Sequence, residues 1–392
     1  MGSRVWSLAA ALVVFPAVVS LAHAQTIQPQ PYASIATDGE TYAGPGRSPA
    51  NDLTGPDLRI GLLAPLRGPR KPEGDAMVAA AGMALRDAAP HGLIHGRRLS
   101  LAVEDESGPS WGMVSDAVIR LALQDDTIAM ITSTSGADAH LAEQAGNRIG
   151  LPVLTLSADA TTTQIDIPWI FRMRASDVAE SQLLARDIYS VRGLKKVLLI
   201  TQQGHDGHRG IDAMREAASD LSGPAPSVVE LDSIHPDLAS AMQSIETESP
   251  QAVVIWTSPE MAASLVHALR TAGVTSLLYL SQDASSGLHE NAAGNSTRSE
   301  AWTIAVDGEA ATARRSFAKR LSQVTGKPSS TVASETYDAV TMTLRALQVA
   351  GPNRARVRDE LARVHGHDGA SGTISFDKQG NDRVALHLVK IE

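Results

Sequence analysis

The chain has 392 residues, of which 43% are hydrophobic and 20% are charged, so it can bury a sizeable core and is not disordered as a whole. Its 43 acidic and 34 basic residues give a formal net charge of −9, which argues against nucleic acid or an anionic membrane surface as a partner. It contains no cysteine, which excludes disulfides, thiolate metal sites and cysteine nucleophiles.

Residues 1–24 have the pattern of a secretory signal peptide. One basic residue, Arg4, precedes an apolar run over residues 8–21, and an Ala-His-Ala sequence ends at Ala24. The run is about 14 residues long, too short to cross a bilayer as a helix, although a weak membrane anchor is the alternative interpretation. We expect cleavage between Ala24 and Gln25, which predicts an exported, periplasmic protein without a membrane anchor.

The first part of the mature chain changes from a polar segment to an alternating one. Residues 25–57 are rich in Pro, Gly, Ser, Thr and Gln and are predicted to form a flexible leader. Leu58–Ala64 is then a short apolar segment typical of a strand, and Asp75–Ala89 has helical periodicity. The alternation continues to Leu156, which predicts a parallel sheet flanked by helices.

A second run of the same kind begins at Ala179 and extends to Leu280. Two successive α/β runs of about 120 residues each favour two similar lobes over one long sheet. Two further helices follow. The chain closes with Gly372–Asp377 and Arg383–Ile391, which are predicted to pair as antiparallel strands around a turn.

Motifs for nucleotide binding or catalysis are missing from the sequence. It has no G-x-G-x-x-G after a strand, no G-x-S-x-G elbow and no H-E-x-x-H. Histidines form two close sets, His205 with His208 and His365 with His367. Imidazole and carboxylate groups suit divalent metal ions, but we interpret both sets as solvated loop histidines and predict no metal and no cofactor.

The segment Thr132–Gly136 (TSTSG) lies where a predicted strand ends and a predicted helix begins. Hydroxyl groups and free backbone N–H groups at a helix N-terminus can bind an anion, which the helix dipole also favours. The alternative is an ordinary serine N-cap, worth about 1 kcal/mol to the helix. The segment by itself is compatible with both.

Several segments, taken together, resemble the type I periplasmic binding proteins of the branched-chain amino acid (Leu/Ile/Val-binding) family. They are IGLLAPLRGP at 60–69 with Glu73-Gly74, Thr134–Gly136, GLPVLTLSA at 150–158, FRMRASD at 171–177, ETYDA at 335–339 and GASGTISFD at 369–377. No single segment is specific. Their order and spacing resemble the family from about residue 58 to the end of the chain.

This resemblance implies two Rossmann-like lobes, each a parallel sheet flanked by helices, joined by a three-crossing hinge that closes over a small ligand. Lobe one would comprise residues 58–175 plus 305–370, and lobe two residues 176–304 plus 371–392. The ligand would lie in the interlobe cleft, at the C-terminal ends of the strands of both sheets.

The resemblance also implies which residues bind the ligand. The lobe-one positions that match the family's carboxylate-binding residues are Ser135, Gly136, Ser157 and Ala158. The hydroxyl position that follows could be filled by either Asp159 or Thr161. In lobe two, Asp283 matches an acid that pairs with the ligand ammonium group, the alternative being a solvated loop acid.

Three places depart from the family's pattern, because relatives with branched-chain ligands usually line the cleft there with aromatic side chains. Here the matching positions carry Glu73, His205 with Asp206, and Thr257. A more polar lining, together with an inward Asp159, favours a polar or cationic ligand, or an amide, at least as much as an aliphatic one.

The sequence therefore predicts a monomeric solute-binding component of an ABC importer that works with a membrane permease and performs no catalysis. Its ligand would be an amino acid or a related small polar metabolite, an amide or a carboxylate. One alternative is a periplasmic ligand sensor or regulatory protein that uses the same fold without transport. Another is a hydrolase that uses Ser135 or the histidine sets.

Overall fold

The computed structural model describes residues 45–391 except 89–92, 108–110, 125, 165–167, 234, 287–299 and 307–310. The predicted signal peptide and the first part of the predicted leader lie outside the described residues. None of the helices in the described part of the chain is both long enough and apolar enough to cross a membrane.

Lobe one is a six-stranded sheet with helices on both faces. Its elements are β1 (Asp57–Ala64), α1 (Lys71–Ala88), β2 (Leu93–Ile94), β3 (Arg97–Asp105), α2 (Trp111–Ile119), β4 (Thr127–Thr132), α3 (Gly136–Ile149), β5 (Val153–Thr155), α4 (Thr161–Gln164), β6 (Ile170–Arg172) and, from later in the chain, α10 (Ala311–Thr325), α11 (Thr331–Ala350) and α12 (Arg354–Ala362). The strand order is β2-β3-β1-β4-β5-β6, and only β2 is antiparallel to its neighbour. Helices α1 and α11 pack on one face of the sheet, and α2 and α3 on the other.

Lobe two repeats this plan. Its elements are α5 (Asp177–Ala185), β7 (Val197–Gln202), α6 (His205–Asp220), β8 (Ser227–Leu231), α7 (Leu238–Glu248), β9 (Ala252–Trp256), α8 (Pro259–Thr271), β10 (Leu277–Leu280), α9 (Gln282–Ser286), β11 (Ala301–Val306) and β14 (Leu386–Ile391). The strand order is β14-β11-β10-β9-β7-β8, and β14 alone runs antiparallel to its neighbour. Helices α7 and α8 cover one face, and α5 and α6 the other.

The chain passes between the two sheets three times: after β6, between β11 and α10, and before β14. The strands are short and apolar because helices cover both of their faces, so nearly every side chain of β4, β7 and β9 is buried. Two mainly parallel sheets flanked by helices confirm the fold class predicted from the sequence.

The closing strands differ from their predicted pairing. The short strands β12 (His367–Asp368) and β13 (Thr373–Ile374) pair with each other, whereas β14 pairs with β11 at the edge of the second sheet. The predicted hairpin is reduced to one isolated bridge between Phe376 and Asp382. Phe376 is buried in lobe one against Phe171, with ring centroids 5.1 Å apart, and this burial separates it from β14.

Backbone hydrogen bonds of Arg172 show which lobe the segment before β14 packs with. The backbone N–H of Arg172 in β6 donates to Gly380, and the carbonyl of Arg172 accepts from Asp382. Residues 373–382 therefore lie with lobe one, whereas the family resemblance implies that residues 371–392 belong to lobe two. The last crossing lies just before β14.

The described end of the predicted leader is held against α12 and the residues before it. The side-chain amide of Asn353 donates to the carbonyl of Gly46 at 2.9 Å, and Arg356 pairs with Asp52 at 2.8 Å. Leu53 donates its backbone N–H to Pro352 at 2.8 Å. Residues 46–53 are thus fixed to lobe one, although their composition predicted a flexible segment.

Candidate functional site

A cleft of about 530 Å³ lies between the two lobes. Its lining comes from loops that follow the C-terminal ends of parallel strands in both sheets, including Thr134 after β4, Ala158 after β5, Thr257 after β9 and Ser281 after β10. Parallel strands leave their helix N-termini and loop side chains at this edge, which is where α/β folds bind ligands. Trp256 contributes the cleft's aromatic surface.

The residues predicted to bind ligand divide into two sets. Those that line the cleft are Glu73, Ala158, Asp159, Asp206 and Asp283. Those that lie behind its lining are Ser135, Gly136, Ser157 and Thr161. The second set is the one expected to supply hydroxyl and N–H groups to a ligand carboxylate, and its members are engaged with other protein groups.

At the N-terminus of α3, the hydroxyl of Ser135 and the N–H of Gly136 both form hydrogen bonds within the protein. Ser135 is the N-cap of the helix, and its hydroxyl oxygen accepts from the backbone N–H of Asp138 at 3.3 Å. The N–H of Gly136 donates to Oδ1 of Asp206, which reaches across from lobe two, at 2.9 Å. Burial raises the pKa of Asp206 to about 6, although this hydrogen bond opposes the shift. A protein carboxylate thus occupies the anion position of the helix.

A second carboxylate, that of Glu73, accepts hydrogen bonds from Thr134, just before the N-terminus of α3. Oε1 of Glu73 accepts from the N–H of Thr134 at 3.0 Å and from its hydroxyl at 2.8 Å. Arg70 pairs with Glu73 and with Glu106, each at 2.9 Å. Burial raises the pKa of Glu106 to about 8. The sequence predicts no role for Arg70, which lies between two segments that carry the family resemblance.

Asp283 enters the cleft from lobe two but already has a cationic partner. Its carboxylate lies 2.5 Å from Nη1 of Arg174, whose Nη2 lies 2.5 Å from Glu335. The Arg174 side chain is only 1% exposed, whereas that of Asp283 is 34% exposed. Asp283 therefore compensates a buried guanidinium that sequence reasoning did not identify. Both Arg174 and Glu335 lie inside segments quoted for the resemblance, which was the available signal.

Asp159 is the centre of a polar cluster at the wall of the cleft. Its Oδ1 accepts from the hydroxyl of Thr161 at 2.6 Å, and its Oδ2 lies 2.6 Å from Nε2 of His205 and 3.2 Å from Nε2 of His140. Nε of Arg209 lies 3.2 Å from Oδ1. These partners outweigh desolvation and hold the pKa of Asp159 below its usual range. The Thr161 hydroxyl thus donates to Asp159, and its oxygen lies 2.9 Å from Nε2 of His140.

The histidines of the two sets contact different protein groups. His205 begins α6 and joins the Asp159 cluster from lobe two, whereas His208, one turn further along, pairs with Glu230. Nδ1 of His367 lies 2.9 Å from Arg345, and burial together with this cation lowers the pKa of His367 to about 4. His205 is thus exposed, as predicted, with 37% of its side chain accessible, but it begins a helix and contacts Asp159 instead of lying free in a loop.

His140 completes the cluster and was not predicted from the sequence. Its Nδ1 lies 3.0 Å from Glu143, and its hydrogen bonds to Asp159 and Glu143 raise its pKa to about 9. The signal was the spacing of His140 and Glu143, three residues apart on one face of α3. Among the described residues, His140, Asp159 and His205 form the group whose donor atoms could hold a metal ion.

The cleft carries an excess of acidic groups. Its lining includes seven acidic and three basic side chains. Charged and polar groups of this kind, presented on both walls of a concave site, can bind and orient a small polar molecule. The Ser135 hydroxyl, by contrast, caps α3, and no hydrogen bond joins it to a histidine in the described part of the chain.

Comparison with known proteins agrees with this geometry. The family model "Periplasmic binding protein" matches residues 57–390. None of the curated proteins matches the chain significantly. Among solved structures, the leucine binding protein LivK of Thermotoga maritima has a TM-score of 0.72 at 17% identity, covering 84% of this chain and 94% of its own.

Two further solved structures, one with benzoate and one with Leu, show ligands that this fold binds. An ABC transporter solute binding protein of R. palustris in complex with benzoate has a TM-score of 0.76 at 18% identity, covering 86% of this chain and 93% of its own. A substrate-binding protein of Desulfitobacterium hafniense in complex with Leu has a TM-score of 0.65 at 16% identity, covering 86% and 98%. At these identities the similarity establishes the fold. Because the family model spans nearly all of the described chain, the protein belongs to the periplasmic binding protein family.

Proposed function

We propose that this protein is the periplasmic solute-binding component of an ABC importer and delivers a small polar solute to a membrane permease. The observation that carries the proposal is the interlobe cleft of about 530 Å³, lined from both lobes by residues at the ends of parallel strands. A cleft of this size suits a metabolite-sized ligand. Because the lining comes from two lobes connected by three crossings, a bound solute would favour the closed form.

The lining supports a ligand that carries an amine or an amide group. Acidic side chains outnumber basic ones in the cleft, and such a field attracts positive charge. The backbone N–H groups of Gly136 and Thr134 could bind a ligand carboxylate. They already donate to the side-chain carboxylates of Asp206 and Glu73, respectively. A ligand carboxylate would have to displace one of these side chains and accept the repulsion of the other. We therefore place amines, amides and amino acid derivatives ahead of simple carboxylic acids.

A thermal-unfolding screen of the mature protein tests the proposal. The panel contains amines, amides, zwitterionic amino acids and aromatic acids. A ligand present at 100 times its Kd adds about 2.7 kcal/mol to the free energy of unfolding, which raises the Tm of a chain of this size by a few degrees. We expect the largest shifts from compounds with an amine or amide.

Two outcomes would contradict the proposal in different ways. A panel without any effect would argue against solute binding. A response limited to aromatic or aliphatic acids would retain solute binding but refute the ligand class. Co-purification with a permease separates import from sensing, since a sensor would be recovered with a different partner.

A further inference from the structure

The cluster around Asp159 has the composition of a metal site and joins the two lobes. His140 lies on α3 and Asp159 on the loop after β5, both in lobe one, whereas His205 begins α6 in lobe two. One ring nitrogen of each histidine and a carboxylate oxygen of Asp159 lie within 4.8 Å of one another. We propose that His140, Asp159 and His205 bind a divalent transition-metal ion of the zinc class, which links the lobes.

The donor set fits this class of ion. Two imidazoles and one carboxylate are ligands that Zn²⁺ commonly takes in proteins, with one position left for water or another donor. Tetrahedral zinc ligands about 2.0–2.1 Å from the metal are roughly 3.3 Å apart. Oδ2 of Asp159 lies 3.2 Å from Nε2 of His140 and 2.6 Å from Nε2 of His205. His205 would therefore have to move away from Asp159 to admit the ion, since its present distance is shorter than the separation of two zinc ligands.

The outer contacts of the cluster orient the ligands as in known metal sites. Nδ1 of His140 lies 3.0 Å from the buried carboxylate of Glu143, which accepts its hydrogen. A carboxylate behind a ligating histidine fixes the ring and increases its basicity as a ligand. Oδ1 of Asp159 is held by the backbone N–H and the hydroxyl of Thr161, at 2.9 and 2.6 Å.

Nε2 of His140 lies close to two protein oxygens, 3.2 Å from Oδ2 of Asp159 and 2.9 Å from the hydroxyl oxygen of Thr161. Either a proton on this nitrogen or a metal ion can link it to the Asp159 carboxylate. Zn²⁺ would therefore compete with protons, and its binding should release them. Arg209, 3.2 Å from the other oxygen of Asp159, limits the affinity through its positive charge.

The site would add a second means of closing the lobes, independent of the organic solute. Its ligands come from both lobes, so an ion bound to all three favours the closed form over an open one. The inference does not rest on the proposed transport function, because the metal can be tested in the absence of any solute.

Calorimetry on the full mature chain, freed of metal with a chelator and titrated with ZnCl₂, provides the first test. We expect one Zn²⁺ per chain, with heats that depend on the buffer because protons are released. Replacing Zn²⁺ by Co²⁺ should give the intense visible absorption of a four-coordinate site. Absence of saturable binding, or a Co²⁺ spectrum typical of six-coordinate surface sites, would overturn the proposal.

Substitutions of the proposed ligands test whether the ion binds at this cluster. His140→Ala and His205→Gln should each weaken Zn²⁺ binding by roughly tenfold or more, and Glu143→Gln by roughly 10-fold to 100-fold through its effect on His140. His205→Gln retains a hydrogen-bond donor for Asp159, so the lobe contact and the fold should survive, as circular dichroism would show. The matched control is His208→Ala, on the same helix but paired with Glu230 outside the cluster.

The outcome is decided by comparing the two α6 variants. Our proposal requires that His208→Ala bind Zn²⁺ as the wild type does and that its Tm rise equally with Zn²⁺. It also requires that His205→Gln bind Zn²⁺ roughly tenfold or more weakly and that its Tm rise less with Zn²⁺ than that of the wild type. Equal Zn²⁺ binding by His205→Gln and the wild type, or an equal loss in His208→Ala, would show that the ion binds elsewhere.

Discussion

The carboxylate of Asp206 lies at the N-terminus of α3, with its Oδ1 2.9 Å from the N–H of Gly136. A helix N-terminus is a strong site for a carboxylate because its free N–H groups and the helix dipole both favour negative charge. Asp206 comes from α6 of the other lobe, 70 positions away in the chain, and only the folded structure brings it here. We therefore expect Asp206, together with Glu73, to disfavour simple carboxylic acids in the cleft.

Asp206→Ala should increase the affinity for carboxylate ligands such as leucine or benzoate by roughly tenfold or more. The reason is that the freed N–H can donate a charge-assisted hydrogen bond worth about 1.5–3 kcal/mol. Calorimetric titration of wild type and variant with the same compounds measures the change. Asp206→Asn is the control, since its amide oxygen can still accept from Gly136 and block the position. An equal gain in both variants, or none in Asp206→Ala, would contradict this role.

Among the secondary-structure elements, α1 shows how closely the loops of the cleft are packed. Gly74 lies in its first turn, where a Cβ atom would come within 1.9 Å of the backbone oxygen of Pro65. Gly82 lies two turns later, and a Cβ there would meet only the end of the Arg86 side chain, at 3.5 Å. The close approach at Gly74 thus packs the first turn of α1, which includes Glu73, against the chain that follows β1.

Alanine at these two positions should have opposite effects. Gly74→Ala must push α1 away from the end of β1, so we expect a loss of about 1–3 kcal/mol in the free energy of unfolding. Gly82→Ala removes only the excess backbone entropy of glycine and should add about 0.5–1 kcal/mol. Urea unfolding of both variants measures the difference. Equal effects of the two substitutions would refute the claim that Gly74 is needed for close packing.

The elements also show what sequence can and cannot reveal. The strands β1, β4 and β7 were predictable because helices cover both faces, so each is a short, continuous apolar run between polar segments. The partner of β14 was not predictable, because residues 301–306 were not recognised as a strand and the paired residues are 80 to 90 positions apart in the chain. Pairing over such a separation depends on which edge the folded sheet leaves open.

The partners of the side chains in the cleft could not be predicted from the sequence for the same reason. The resemblance correctly directed attention to the loops at the cleft, and Glu73, Asp159, Asp206 and Asp283 line it. It could not predict that most of these carboxylates have partners within the protein. Asp283 pairs with Arg174, and Asp159 is shared by two histidines from different lobes. Such pairings depend on distances between loops that only the packed lobes define.

In the whole molecule, burial of carboxyl groups beside the cleft should make stability depend on pH. Glu180 on α5 accepts the N–H of Gln282 at 2.9 Å, and burial raises its pKa from 4.5 to about 8. Between pH 4.5 and pH 8 the folded chain retains a proton that the unfolded chain releases. The contribution of Glu180 to the free energy of unfolding must therefore fall as the pH rises through this range.

Glu180→Gln should remove this part of the pH dependence. Glutamine has the same shape and no charge, so the variant should gain stability relative to the wild type as the pH increases from 5 to 8. Urea unfolding across the range gives the two profiles. Glu246→Gln, on the exposed surface of α7, is the control and should follow the wild-type profile. Parallel profiles for Glu180→Gln and the wild type would show that Glu180 is already charged in the folded protein.

The central claim is that a small polar solute binds in the interlobe cleft, and native mass spectrometry tests it most directly. The mature wild type, mixed with the panel compound that most raises its Tm, should carry one solute per chain. Ala158→Trp fills the cleft lining with a bulky side chain, whereas Val349→Trp places the same side chain on the outer surface of α11, where Val349 is 73% exposed. We predict that Val349→Trp retains the solute and that folded Ala158→Trp does not. Equal retention by Ala158→Trp would place the solute outside the cleft and contradict the account.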